Sequence, residues 1–154
     1  MLDPNSFVNF LNEKGINFFC GVPDSLLKEV CFCINEKLDS KYHKITANEG
    51  AAIALASGYN LATNKLPLVY LQNSGLGNAI NPLLSLCDLS VYKIPMVILI
   101  GWRGEPGISD EPQHTKQGAI QEKLLETLEI PYEIIDNKLN YYDPLSNLIS
   151  KSIN

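Results

Sequence analysis

No run of apolar residues in this chain approaches the roughly 20 that a membrane helix needs. The best, Pro95 to Gly101, has strand length. The N-terminus, Met1-Leu2-Asp3-Pro4-Asn5, lacks both the basic start and the apolar stretch of a signal peptide, so cytoplasmic residence is the default expectation. Positive charge is scarce: 12 Lys and Arg stand against 17 Asp and Glu, a formal net charge of −5. That balance argues against broad binding of nucleic acid or an anionic membrane, though it leaves room for a small cationic pocket. Cysteine is sparse and unpatterned. Cys20, Cys31, Cys33 and Cys87 contain no Cys-x-x-Cys pair, and Cys31 and Cys33 lie two apart on a predicted helix, facing different sides. Reduced structural thiols are therefore expected in place of a zinc site or a disulfide framework. No metal-ligand cluster, no Ser/Cys–His–acid order, no internal repeat and no low-complexity tract stands out.

What remains is an ordinary globular composition, 45% hydrophobic and 19% charged, over 154 residues, which suits one domain spanning 1–154. Asp3-Pro4 opens a helix with Phe7, Phe10 and Leu11 on one face and Gly15 as its stop. Ile16 to Cys20 reads as a strand, Gly21-Val22-Pro23 as a turn and Asp24 to Leu38 as a helix. His43 to Thr46 and Leu66 to Gln72 are further predicted strands, with a helix from Glu49 to Thr63 between them. Asn73 to Asn78 turns into a helix reaching Cys87, and Pro95 to Gly101 is continuous and apolar, as in a strand covered on both faces. A polar loop from Trp102 to His114 leads to a helix from Thr115 to Leu128. Tyr132 to Ile135 reads as a last strand, and Asp143-Pro144 caps a final helix.

This alternation predicts an α/β fold: a doubly wound, mainly parallel sheet with helices on both faces. Ligands of such sheets lie beyond the carboxyl ends of the strands. The segments there are Gly21 to Ser25, Ala47 to Gly50, Gln72 to Asn78 and Trp102 to His114, all rich in glycine and polar groups.

Each segment has a structural and a functional reading. Asn48-Glu49 suits a helix start, with Asn as cap and Glu facing the positive end of the helix dipole. The same Glu49 sits where a ligand would approach, beside the small residues Ala47, Gly50, Ala51 and Ala52. Gly75-Leu76-Gly77-Asn78 follows a strand and opens a helix, but lacks the third glycine and acidic partner of a dinucleotide loop. Pro23-Asp24-Ser25 could simply start a helix. In the loop, Arg103 could hold an anion and His114 could shuttle a proton, or the loop's charges could pair among themselves.

Taken together, Gly21-Val22-Pro23-Asp24-Ser25-Leu26-Leu27, Ala47-Asn48-Glu49-Gly50, Gln72-Asn73-Ser74-Gly75-Leu76-Gly77-Asn78, Gly101-Trp102-Arg103-Gly104-Glu105-Pro106-Gly107 and Asp110-Glu111-Pro112-Gln113-His114 resemble the phosphonopyruvate decarboxylase family. The resemblance runs in order over residues 1 to 135. It implies the pyrimidine-binding domain of a thiamine diphosphate-dependent carboxy-lyase, with Glu49 hydrogen-bonded to N1′ of the cofactor's aminopyrimidine. Asn73, Ser74, Gly75, Gly77 and Asn78 would lie against that ring. Ser25, Asn73, Arg103 and His114 are candidate donors to a 2-oxo acid substrate. Asp24 and His114 join Glu49 as candidate catalytic groups. Burial and the helix dipole would act on Glu49 in opposite senses, the first favouring the neutral carboxyl and the second the ion.

Family members carry a second domain whose Gly-Asp-Gly motif and downstream Asn hold Mg²⁺ and the diphosphate. No Gly-Asp-Gly occurs here, so this chain resembles the pyrimidine half alone, a subunit or a fragment, with no metal ligand of its own. The implied partner is a diphosphate-binding domain or subunit in a homo- or hetero-oligomer, and the isolated chain is expected to be inactive. The sulfopyruvate decarboxylase alpha subunit, which shares an Asn-Ser-Gly-Leu-Gly-Asn type of turn, is the nearest alternative. A non-catalytic regulatory or binding domain of the same fold is another.

Overall fold

The computed structural model describes residues 2–135 and 140–153. Four short strands, β1 (Phe19–Gly21), β2 (His43–Ile45), β3 (Leu68–Gln72) and β4 (Val97–Gly101), form one sheet in the order β2-β1-β3-β4. Every pairing is parallel. Among the described residues six α-helices flank it: α1 (Pro4–Glu13), α2 (Lys28–Lys37), α3 (Glu49–Thr63), α4 (Leu76–Pro82), α5 (Pro112–Thr127) and α6 (Tyr142–Ile153).

Alternation along the strands divides the core in two, because successive side chains point to opposite faces. Phe19, Leu68 and Tyr70 pack with α1, α2 and α6 through Phe7, Leu11, Ile34, Leu145 and Ile149. Cys20, Val69 and Leu71 pack with α3, α4 and α5 through Ala52, Ile53, Ala79 and Leu125. The sheet is thus wound on both faces, as the alternation of elements implied. The chain leaves β1 for one edge and β3 for the other, so the topological switch point lies between these two strands. A crevice opens at such a point beyond the carboxyl ends.

Several boundaries differ from the sequence reading. The helix expected from Asp24 begins at Lys28, because the Asp24 carboxylate accepts the Leu26 N–H at 2.9 Å and its carbonyl accepts that of Leu27. That local turn competes with helix for the same backbone groups. The helix expected to reach Cys87 is regular only to Pro82, which lacks a donor, and continues as a π-turn over Leu83–Cys87. Helix α5 starts three residues before the expected Thr115, with Pro112 in its first turn. Tyr132 to Ile135 forms no strand. Among the described residues β4 is consequently a sheet edge, and Val97 to Ile100 are half-buried, not covered on both faces. No helix of the described residues is long and apolar enough to cross a membrane.

Candidate active site

The carboxyl ends of the strands bring the singled-out residues into two hydrogen-bonded groups, joined by a 3₁₀ turn at Asn73–Gly75. The first group is built on two helix starts. Asn48 caps α3, its side chain accepting the Ala51 N–H at 2.8 Å, and this places Glu49 as the first helical residue. The half-buried Glu49 accepts a hydrogen bond from Asn78 Nδ2 of α4 at 2.8 Å through Oε2. Oε1 has no partner among the described residues. The Glu49 side chain lies against the Cα of Gly75: a Cβ there would come within 2.5 Å of Glu49 Cγ. Glycine at 75 is therefore what leaves the carboxylate its place. Ser74, exposed, accepts from Gln72 Nε2 at 2.8 Å, and Gly77 is exposed beside it on α4.

The second group surrounds Arg103, the only arginine in the chain. Its Nε and Nη2 donate to the two oxygens of Asp110 at 2.8 and 2.6 Å, and its Nη1 donates to Ser25 Oγ at 2.8 Å. Asp110 also accepts from the backbone N–H groups of Gly104 and Glu111, both at 2.8 Å, and from His114 Nδ1 at 3.0 Å. Hydrogen bonds from Arg103 first, then those from Glu111, His114 and Gly104, hold the Asp110 carboxyl well below the usual carboxylate range. An ionised carboxylate only accepts, so the hydrogen between these two residues sits on His114 Nδ1. The loop's charges pair among themselves, and in doing so they order it.

Asp24 is 6% exposed, with its carboxylate directly on the Cα of Gly101, where no side chain would fit. Oδ2 takes the Leu26 N–H, while the buried Oδ1 has no hydrogen-bond partner. A buried acceptor left open is costly unless a proton or a ligand completes it. Nearby, burial and then the charge of Asp24 push the Cys31 thiol up to about 11, which leaves it un-ionised near neutrality. Asn73, 2% exposed, donates to the Arg103 carbonyl at 2.8 Å and accepts from the Arg103 N–H at 3.3 Å. This geometry makes it a brace between the end of β3 and the loop after β4.

The structure thus gathers Glu49, Gly75 and Asn78 at one place, and Asp24, Ser25, Arg103 and His114 around the other, with Asn73 beneath. Sequence reasoning included Asp110 in the stretch Asp110 to His114 that carries the family resemblance but gave it no role. Its spacing of four from His114, one helical turn, was the available signal. The link to Arg103 depends on how the loop folds back.

The chain matches the family described as thiamine pyrophosphate enzyme, N-terminal TPP binding domain, over residues 5–127. It is 37% identical to phosphonopyruvate decarboxylase of Streptomyces viridochromogenes over 135 residues, covering 88% of this chain and 33% of that protein. It is 39% identical to sulfopyruvate decarboxylase subunit alpha of Methanococcus maripaludis over 120 residues, covering 78% of this chain and 69% of the subunit. The chain therefore spans about a third of the first relative's length and over two thirds of the second's. Among solved structures, a thiamine diphosphate-dependent 4-hydroxybenzoylformate decarboxylase of Rhodococcus jostii superposes with a TM-score of 0.55 at 23% identity. That match covers 77% of this chain and 22% of the other, a likeness of fold. Matched over residues 5–127, most of its length, the chain belongs to the family of thiamine pyrophosphate enzyme N-terminal, TPP-binding domains.

Proposed function

We propose that this chain supplies the pyrimidine-binding half of a thiamine diphosphate-dependent 2-oxo acid decarboxylase, converting phosphonopyruvate to phosphonoacetaldehyde and CO₂. The observation that carries this reading is Glu49 at the start of α3, tied to Asn78 through one oxygen and open at the other, over a Gly75 without a side chain. An aminopyrimidine nitrogen needs such a partner, a fixed carboxylate with one free acceptor beside a surface flat enough for a ring. The cofactor, when bound, supplies the nucleophile and electron sink that decarboxylation of a 2-oxo acid requires.

The protein's part is to position and to move protons. Glu49 would share a proton with the ring nitrogen when the cofactor is bound, and Asn78 keeps its carboxylate from swinging away. Ser74, Gly75 and Gly77 would let the ring approach closely. Asp24, whose buried Oδ1 has no hydrogen-bond partner, is the candidate for orienting substrate or delivering a proton. Ser25, Arg103 and His114 are the donors offered to the anionic groups of the substrate, and Asn73 holds Arg103's backbone beneath them. Mg²⁺ and the diphosphate would be held by a partner domain or subunit, in a cytoplasmic complex. Exposed apolar side chains at Leu55 and Leu61 of α3 and at Leu84, Leu89 and Tyr92 are surface of the kind such a partner would cover.

A second reading, sulfopyruvate as substrate, is favoured by the 39% identity to an alpha subunit of which the chain covers 69%. Release of CO₂ from the two substrates, measured side by side with thiamine diphosphate, Mg²⁺ and the candidate partner, separates them. Faster turnover of sulfopyruvate would sink the first reading. Glu49→Gln should lower turnover by about a hundred-fold or more. An unchanged rate in that variant would point to a non-catalytic domain.

A further inference from the structure

We propose that Asp110 is a specificity-determining residue, which sets the charge of the anionic tail that Arg103 and Ser25 accept. This rests on the decarboxylase reading for the identity of the tail, a phosphonate or a sulfonate, but not for the physics. A guanidinium has five N–H donors. Two go to Asp110 and one to Ser25, leaving two without a partner among the described residues. Ser25 Oγ accepts from Arg103, so its own hydrogen is available to a ligand. Together these donors make a small anion-binding edge beyond the carboxyl ends of β1 and β4.

The edge is strongly compensated. Arg103 is the only arginine of the chain, and the four segments at the carboxyl ends contain no lysine. Asp110, Asp24 and Glu111 all lie close enough to stabilise its charge. His114 Nδ1 is committed to Asp110 at 3.0 Å. A doubly charged tail feels this surplus of carboxylates twice as strongly as a singly charged one, since the Coulomb energy scales with the ligand's charge. Asp110 does not step aside easily, because five donors from Arg103, Gly104, Glu111 and His114 hold it. The tail therefore binds to an Arg103 already paired, and Asp110 tilts the choice towards the single charge, that of the sulfonate in the second reading above rather than the fully ionised phosphonate of the first.

Calorimetric titration of the full chain with methanesulfonate and with doubly ionised methylphosphonate tests this. Asp110→Asn, which keeps the shape and removes the charge, should move the ratio of the two affinities about five-fold towards the phosphonate. Arg103→Ala should abolish binding of both. An unchanged ratio in a folded Asp110→Asn chain, equal loss of both probes, or no binding to the unsubstituted chain would overturn the proposal. A second readout needs no variant. With one arginine, the chain gives one guanidinium Nε–Hε resonance, and this should hold its paired position when a probe saturates the edge. Its displacement would mean that the anion replaces Asp110, against the proposal. A shifted affinity ratio with no CO₂ released from either 2-oxo acid would sustain the charge filter and sink the decarboxylase reading.

Discussion

Asn78 and Asn73 show how similar residue types at neighbouring positions come to different work. The exposed side chain of Asn78 has one hydrogen bond among the described residues, to Glu49. Asn78→Ala should therefore leave the melting temperature nearly unchanged while lowering decarboxylation in the assembled complex by about ten-fold, the scale of a lost orienting contact. Asn73 holds both the N–H and the C=O of Arg103. Its replacement by Ala leaves the Arg103 carbonyl short of a partner, while the N–H keeps the Gly101 carbonyl at 3.1 Å, and a loss of about 1–3 kcal/mol is expected in urea unfolding. Sequence spacing placed both asparagines at the ligand-facing end of the sheet. It could not separate their roles, because the partner of Asn73 is a backbone thirty positions away. The helix start at Glu49 was legible for the opposite reason, its cap Asn48 standing directly before it, whereas its contacts with Gly75 and Asn78 come from another segment and left no local sign.

Elements were readable where local chemistry decides them. Helix α3 runs from Glu49 to Thr63, the bounds read from the sequence, because Asn48 caps one end and Asn64, in the left-handed region at φ 56°, closes the other. Replacing Asn48 by Ala should cost about 1 kcal/mol, seen as a lower melting temperature. Activity in the assembled complex should fall with it, since the same cap fixes where Glu49 begins. The start of α2 was misread because Asp24 turns its carboxylate onto its own following backbone. Apolar character alone could not tell β4, an edge among the described residues, from a covered strand, nor make a strand of Tyr132 to Ile135.

At the scale of the molecule, two apolar layers close on one sheet, and acid should loosen them in two stages. Burial lowers the pKa of His43, whose Nε2 lies 2.8 Å from the Tyr70 hydroxyl. The unfolded chain then takes up this proton at higher pH than the folded chain does. Stability tied to a neutral His43 is fully present above 6.5, the ordinary histidine value, and drains away as the pH falls through the lower folded one. Asp110 has the same sign further down: its contribution is present above the ordinary 3.8 and is lost in stronger acid. Thermal melts across the acid range should show a first decline below about pH 6.5 that His43→Asn removes. The contact between Glu49 and Gly75 reaches beyond this one chain. The two positions share a single volume, so a descendant that abandoned the acid would be free to fill the glycine. Across related sequences, a side chain at position 75 should accompany the loss of glutamate at 49, a fossil trace by which retired members of the lineage could be told from working ones.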